Sequence, residues 1–347
     1  MLYAIIVLYN MTTWKYDDYK QWIDDGCKVD DKVTKIILIY YNLINLSESL
    51  SNLINLQELY CDHNELTELP KTLGNLINLQ KLYCNNNNLT ELPETLGNLI
   101  NLQILSCNHN ELTELPETLG NLIKLQELYC NNNKLIKLPE ILGNLINLQT
   151  LNCSNNKLKE LPKTLDNLIN LRILFCGNNE LTKLPKTLGN LINLQILFCS
   201  NNKLKELPKT FCNLINLQEL ECRSNNLTEL PISIIKLKYI TKIYYDRNIQ
   251  LPINLKRFIE NKNKIDNKID NKINNDVHNN SIQESLLNSI NILLSETITK
   301  NINILEDNIL DNKTKSIIYN FINDKTVGAL LVSFEELLVY VLEKIEN

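Results

Sequence analysis

The chain has 347 residues, of which 44% are hydrophobic and 22% are charged, a balance typical of a globular protein with one large or two medium domains. Its formal net charge is −5, and basic and acidic residues are interspersed, which argues against nucleic acid or an anionic membrane surface as a partner. No apolar run approaches the ~18 residues of a membrane-spanning helix, so no span is predicted.

The first segment, residues 1–32, is predicted to be an amino-terminal extension that ends in a helical cap. Residues 2–9 are apolar like the core of a signal peptide, but no basic residue precedes them and no clear cleavage site follows. A targeting segment and an apolar edge segment both stay open. Trp14, Tyr19 and Trp22 then recur at helical spacing and predict a helix with an aromatic face.

Residues 33–252 repeat with a period of 23 residues, in nine full units and a partial tenth. A single unit cannot bury its own apolar side, so the units are expected to stack and to need caps at both ends. Cysteines mark the period, and spacing this regular indicates a repeated unit rather than a disulfide framework. These cysteines are Cys61, Cys84, Cys107, Cys130, Cys153, Cys176, Cys199 and Cys222.

Each unit is predicted to begin with a short strand. In one unit, Leu56, Leu59 and Cys61 alternate inward, whereas Glu58 and Tyr60 point outward. Because the units stack in chain order, their strands are expected to form a parallel sheet.

The polar and turn-forming columns predict how each unit ends its strand and returns. Pro70 suits the first turn of a short helix, and Gly74 is expected to close that turn. A column of asparagines falls where the strands end, and a side chain with both a donor and an acceptor suits the backbone groups left there. This structural asparagine ladder comprises Asn64, Asn87, Asn110, Asn133, Asn156, Asn179, Asn202 and Asn225.

The consensus LxxLxCxxNxLxxLPxxLGNLxx over residues 33–252 resembles the cytosolic 23-residue leucine-rich repeats of scaffold and Ras-interacting type. The resemblance implies an α/β solenoid, a leucine-rich-repeat horseshoe with a parallel sheet on its concave face, and a role in protein binding. Extracellular members are usually capped by paired disulfides, which neither flank can supply, so a cytoplasmic location is expected. The excess of Asn, Lys and Ile resembles amoebal and giant-virus proteins; for a viral protein, that cytoplasm would be the host's.

The remainder of the chain is predicted to be a linker and a small helical domain. Residues 253–280 are polar and low in complexity, which is typical of a flexible linker. Residues 281–347 contain two capping-box patterns, beginning at Ser281 and Ser333, each followed by apolar residues at helical spacing. They predict a helical domain whose role stays open.

No catalytic, cofactor or metal site is predicted. The glycines are too widely spaced for GxxxxGK[ST] or GxGxxG, and residues 281–347 hold no cysteine nucleophile. His63 and His109 lie two units apart, about 10 Å at the sheet spacing, without neighbouring ligands. The repeated cysteines would line up in one row, which does not suit tetrahedral zinc, so buried reduced thiols are expected.

Two outward columns of the predicted sheet are rich in aromatic residues and isoleucine. A contiguous apolar stripe in water indicates an interaction surface, and aromatic residues are common anchors of protein interfaces. The alternative is that these side chains stack and stiffen the sheet. The predicted partner-binding residues are Tyr60, Tyr83, Ile104, Tyr129, Ile173, Phe175, Ile196, Phe198 and Tyr244.

The leading hypothesis is therefore a non-enzymatic intracellular adaptor that binds a protein or peptide on its concave face. One alternative is the substrate-recognition part of an enzyme or ligase assembly, with activity or recruitment in residues 281–347. Another is a structural component of a virion. The oligomeric state and the partner stay open.

Overall fold

The computed structural model describes residues 13–273, with side chains through residue 263. Its strands form one 11-stranded parallel sheet in chain order, which confirms the predicted parallel solenoid. The strands are β1 (Thr13–Trp14), β2 (Lys35–Ile37), β3 (Glu58–Tyr60), β4 (Lys81–Tyr83), β5 (Ile104–Ser106), β6 (Glu127–Tyr129), β7 (Thr150–Asn152), β8 (Ile173–Phe175), β9 (Ile196–Phe198), β10 (Glu219–Glu221) and β11 (Lys242–Tyr244). The candidate targeting segment, residues 2–9, and the predicted helical domain, residues 281–347, lie outside the described residues.

From β2 onward, a short 3₁₀ helix lies between each strand and the next. Pro70 stands immediately before one of these helices, with φ −59° and ψ 137°, and its carbonyl accepts the first helical hydrogen bond from Leu73. Proline therefore fixes the entry to the turn, one residue earlier than predicted. The 3₁₀ helices are Glu48–Asn52, Lys71–Asn75, Glu94–Asn98, Glu117–Asn121, Glu140–Asn144, Lys163–Asn167, Leu188–Asn190, Lys209–Asn213 and Ile232–Lys236.

The glycine column does not have the predicted role of closing the turn. Gly74 lies inside its 3₁₀ helix, and among the described glycines Gly26 alone has a positive φ. A Cβ on Gly74 would lie 2.3 Å from the carbonyl oxygen of Thr95 in the next unit. Glycine is needed because consecutive 3₁₀ helices stack in backbone contact. Asp166 and Cys212 take this position in later units; the helix after Asp166 spans only Leu188–Asn190, whereas the helix after Cys212 keeps its full length, Ile232–Lys236.

The core consists of stacked leucine columns together with the predicted cysteine column. Leu59 and Cys61 are fully buried, as are their equivalents in the following units through β10. The Cys61 thiol donates to the carbonyl oxygen of Tyr83 in the next unit, at 3.2 Å. Burial raises the pKa of the Cys107 and Cys153 thiols to about 12. The inward assignment of the cysteines is therefore confirmed.

The asparagine ladder joins each unit to the one before it. The side-chain oxygen of Asn133 accepts from the backbone N–H of Leu112 at 3.0 Å, and its amide nitrogen donates to the Cys107 carbonyl at 3.0 Å, both in the preceding unit. The same nitrogen donates at 3.2 Å to the carbonyls of Cys130 and Asn131 in its own unit. One buried side chain thus satisfies four backbone groups.

The residue before each ladder asparagine is left-handed, with φ between 52° and 55°. Asparagine and histidine tolerate this conformation better than most residues, which explains why His63 and His109 share one column with asparagines. Their Nε2 atoms lie 3.3 Å and 3.1 Å from the side-chain nitrogens of Asn86 and Asn132, respectively. These histidines therefore belong to the turn that follows each strand.

The amino-terminal end of the solenoid is covered by the predicted aromatic helix, α1 (Tyr16–Asp24). Tyr19 and Trp22 are buried against the first units. The Trp22 indole N–H donates to the Lys28 carbonyl at 2.7 Å, and the Tyr19 hydroxyl accepts from the Ser47 backbone N–H at 2.9 Å. The aromatic face therefore both fills space and satisfies backbone groups.

The other end differs from the linker predicted over residues 253–280, because its first part is helix α2 (Ile253–Ile273). Leu255 and Ile259, one helical turn apart, are buried against the last unit. The Asn263 side chain accepts from the backbone N–H of Ile243 and donates to its carbonyl, both at 3.1 Å. The helix thus covers β11, the edge of the sheet, which would otherwise offer unpaired backbone groups. The predicted domain boundaries stay a prediction.

We expect Asn133→Ala to lower the free energy of unfolding by about 1–3 kcal/mol, because it leaves buried backbone groups without partners. Lys157→Ala, an exposed change beside the next ladder asparagine, should cost little. Chemical denaturation of both variants measures the difference. Equal stabilities would contradict the four-bond role of the ladder.

We also expect the eight buried thiols to resist alkylation in the folded protein, because burial shields them and keeps them protonated. Cys27 and Cys212 are partly exposed and should be modified first. Timed labelling with a thiol reagent, read by mass spectrometry with and without denaturant, tests this. Rapid native labelling within the column would show that the units open readily.

Candidate functional site

The predicted partner-binding residues occupy two outward columns of the sheet, here called the sheet face. The first column contains Ile104, Ile173 and Ile196 at the first position of their strands, and the other contains the aromatic residues at the third position. The register places Tyr60 opposite Tyr83 and Phe175 opposite Phe198. Ser106 and Asn152 interrupt the aromatic column on either side of Tyr129. The structure therefore brings together two aromatic pairs rather than one continuous stripe.

The first pair is largely occupied by contacts within the protein. The rings of Tyr60 and Tyr83 are stacked, with centroids 4.8 Å apart, and the Tyr60 hydroxyl donates to Glu58 at 3.1 Å. The Glu58 carboxylate also forms an ion pair with Lys81, with 2.8 Å between Oε1 and Nζ. Tyr60 is only 6% exposed, and burial raises its pKa. Tyr60 therefore offers little exposed surface on this face.

Tyr129 stands alone between the two pairs. Its hydroxyl donates to Glu127 at 2.9 Å, and burial raises the pKa of the phenol. Ile104 lies in the neighbouring column, opposite Glu127 in the strand register. This middle part of the sheet face therefore mixes one isoleucine, one phenol and a carboxylate.

The second pair belongs to a cluster of four apolar side chains, Ile173, Phe175, Ile196 and Phe198, which we call the apolar patch. They lie on the adjacent strands β8 and β9, and all four are partly exposed. The two phenyl rings have centroids 4.9 Å apart and planes tilted by 39°. Phenyl and isoleucine side chains have no hydrogen-bonding groups, so the patch offers apolar surface alone.

Small residues lie beside the phenyl rings in the next outward column. Gly177 follows β8, and a Cβ there would lie 3.2 Å from the carbonyl oxygen of Ser200. The flanking units carry Ser154 and Ser200 at this position, whereas the first units carry Asp62 and Asn85. The side chains of this column are therefore smallest next to the apolar patch, so the sheet face is recessed there. Sequence reasoning missed this feature, although the loss of large side chains from the column is visible in the repeat.

Charged groups bound the patch on its carboxyl-terminal side. The Arg223 side chain contacts the Glu221 carboxylate through two nitrogens, with Nε 2.9 Å and Nη2 2.5 Å from it. The Arg223 guanidinium also lies over the Tyr244 ring, 5.1 Å from its centroid. Tyr244 is therefore partly covered, and it contributes to a polar rim more than to the apolar patch.

In the amino-terminal units, the column that contains Gly177 holds polar residues. Asp62 accepts from the backbone N–H of Asn85 at 2.8 Å, and burial raises its pKa to about 7. Asn85 in turn accepts from the backbone N–H of Asn108 at 3.1 Å. The buried side-chain oxygen of Asn131 has no hydrogen-bond partner within the described part of the chain. Side-chain to backbone hydrogen bonds thus link this column from Asp62 through Asn85 to Asn108.

Away from the sheet face, the structure reveals two further columns that sequence reasoning missed. Just before the strands, Asn101 donates to the Ile77 carbonyl of the preceding unit at 2.8 Å, and Asn147 and Asn170 do the same one unit after another. This is a second, outer asparagine ladder. Beside it stand isoleucines between 46% and 57% exposed: Ile54, Ile77, Ile100, Ile123, Ile146, Ile169, Ile192 and Ile215. The signal was the recurrent Asn-Leu-Ile-Asn sequence.

Among the described side chains, those of residues 13–263, no cluster of three or more His, Cys, Asp or Glu is arranged to hold a metal ion. None of the helices within residues 13–273 is long and apolar enough to cross a membrane.

Comparison with known proteins identifies the repeat. The family described as leucine-rich repeat region matches residues 39–134, and the family described as leucine-rich repeats in two copies matches residues 123–169, 146–190 and 169–211. A search of curated proteins finds no match.

Three solved structures share the fold. The ectodomain of the plant receptor kinase GASSHO1/SCHENGEN3 from Arabidopsis thaliana, in complex with Casparian strip integrity factor 2, is 36% identical over 62% of this chain, with a TM-score of 0.58. The plant peptide hormone receptor RGFR1, in complex with RGF2, is 30% identical over 64%, with a TM-score of 0.58. The functional domain of InlJ from Listeria monocytogenes, which includes a cysteine ladder, is 30% identical over 72%, with a TM-score of 0.59.

The chain spans 27%, 37% and 57% of the lengths of these three proteins. Their likeness therefore concerns the repeat domain. Since both the sequence families and the parallel-stranded units agree, residues 39–211 of this chain are leucine-rich repeats.

Proposed function

We propose that this protein is a non-enzymatic intracellular adaptor that binds a protein or an extended peptide on its sheet face. The observation that carries the proposal is the apolar patch of Ile173, Phe175, Ile196 and Phe198. Four apolar side chains on two adjacent strands remain partly exposed to water, which is unfavourable in free energy. Contact with a partner's apolar side chains would bury this surface.

The surroundings of the patch suit a peptide. Gly177 and the serines beside it lower the surface next to the phenyl rings, so a partner's backbone can approach closely. The Glu221–Arg223 pair provides a polar rim of the kind that surrounds interface anchors. Two of the similar structures are complexes, one of them of a peptide hormone receptor.

The intracellular part of the proposal is supported by the cysteines. All ten are free thiols, and eight of them are core residues. Cysteines persist as free thiols most readily in reducing compartments. Repeats of cytosolic type, as the consensus suggests, would place the adaptor in the cytoplasm.

The test is a peptide selected by display against the full chain, whose affinity is then measured for variants. We expect Phe175→Ser together with Phe198→Ser to weaken binding by about thirtyfold or more, because truncating one central anchor commonly costs about 2 kcal/mol. Fluorescence anisotropy with the labelled peptide measures the change. Tyr83→Ser together with Tyr129→Ser should have a smaller effect, because those phenols are more occupied by internal contacts.

A matched control removes two exposed apolar side chains from the same part of the solenoid but outside the sheet face. Ile169→Ser together with Ile192→Ser, at 57% and 49% exposure, should leave peptide affinity unchanged. If the phenylalanine variant instead keeps its affinity and loses thermal stability, the rings only stiffen the sheet and the proposal is wrong.

A further inference from the structure

The outer edge of the sheet, where the strands begin, follows two nearly constant columns. One is the outer asparagine ladder, and the other holds glutamine immediately before the strands from β3 to β10. Within this stretch each column is broken once. Lys124 replaces asparagine before β6, and Arg172 replaces glutamine before β8. Both departures introduce a positive charge.

The two cations line one depression of about 450 Å³. Its other lining residues are Gln103, Gln126, Asn147, Gln149 and Asn170, all of them amides. The unit that begins at β7 lies between the two cations, which are about 10 Å apart along the sheet at ~4.8 Å per unit. No carboxylate lines the depression, although the chain as a whole is acidic, with a net charge of −5.

Lys124 changes the local bonding as well as the charge. Its ammonium donates to the side-chain oxygen of Asn101 at 2.7 Å, whereas an asparagine at this position would donate to the backbone carbonyl of Ile100, as its neighbours do to theirs. Neither Lys124 nor Arg172 forms an ion pair with any described residue. The position therefore loses a ladder hydrogen bond and gains an unneutralised cation.

The donor set fits an oxyanion. A guanidinium presents a planar fork of N–H groups that matches phosphate and carboxylate oxygens, and a lysine ammonium adds a compact charge. The amide side chains can supply further N–H donors from Gln126, Asn147 and Gln149. A neutral sugar could be bound by amide side chains alone, without the two positive charges. A cationic ligand would be repelled by Lys124 and Arg172.

We propose that this depression is a binding site for an oxyanion, either a phosphate group or a carboxylate, held between Lys124 and Arg172. The site lies at the edge of the sheet and does not depend on the apolar patch.

The experiment titrates the full chain with inorganic phosphate and, separately, with glutarate, by calorimetry at constant ionic strength. We expect saturable binding of at least one of them. Lys124→Asn and Arg172→Gln should each weaken it by about tenfold, the usual contribution of a charge-assisted hydrogen bond, and the double variant should abolish it. Phosphate alone would point to a phosphate ester or free phosphate, and glutarate alone to an acidic peptide or a free carboxylate.

Both substitutions restore residues that the chain itself uses in the same columns. Folding should therefore be retained, and Lys124→Asn should hold or raise the unliganded melting temperature by rebuilding the bond to Ile100. The control, Lys157→Asn with Lys205→Gln, also removes two positive charges, but from other positions on the solenoid. It should bind as the parent chain does.

The proposal is overturned if neither anion binds saturably, or if the double variant binds as tightly as the parent chain. It is also overturned if the control pair weakens binding equally, since the effect would then be one of net charge.

Discussion

The structure depends on one buried side chain per unit that forms hydrogen bonds with two units at once. Asn133 satisfies an N–H and a carbonyl of the preceding unit and two carbonyls of its own, and its equivalents do the same along the solenoid. Because these four bonds have fixed geometry, each unit can follow its neighbour in one register only. The columns of leucine, cysteine and exposed side chains are aligned as a consequence.

Because the register is fixed, a residue that departs from the repeat consensus changes the surface at one defined place. In a chain whose units are near copies, a substitution alters a surface without altering the frame that carries it. The apolar patch arises where charged and hydroxyl-bearing residues of the sheet face give way to Ile173, Phe175, Ile196 and Phe198. The cationic depression arises in the same way from Lys124 and Arg172. Both candidate sites are local exceptions within a region of constant backbone.

Much of the fold could be predicted because its determinants are periodic. The inward position of Cys61 and the role of Asn133 follow from spacing and donor chemistry within one unit. The need for Gly74 could not be predicted in the same way, because the atom that excludes a side chain belongs to Thr95 in the next unit. The stacking of Tyr60 on Tyr83 was one of two alternatives that the sequence left open, because it depends on contact between units.

The ends of the solenoid show a different limit of sequence reasoning. Composition marks the start of α2 as a polar linker, yet three residues at successive helical turns, Leu255, Ile259 and Asn263, bind the last unit. The polar composition of the whole segment does not reveal these three residues. Two buried apolar residues and one amide are nevertheless enough to cover a three-residue edge strand. A repeat built on nearest-neighbour contacts needs little more than this at its end, since the last unit lacks only one neighbour. The amino-terminal end is easier to predict from the sequence, because Tyr19 and Trp22 recur at helical spacing. Their large aromatic side chains both fill space and form hydrogen bonds with the backbone.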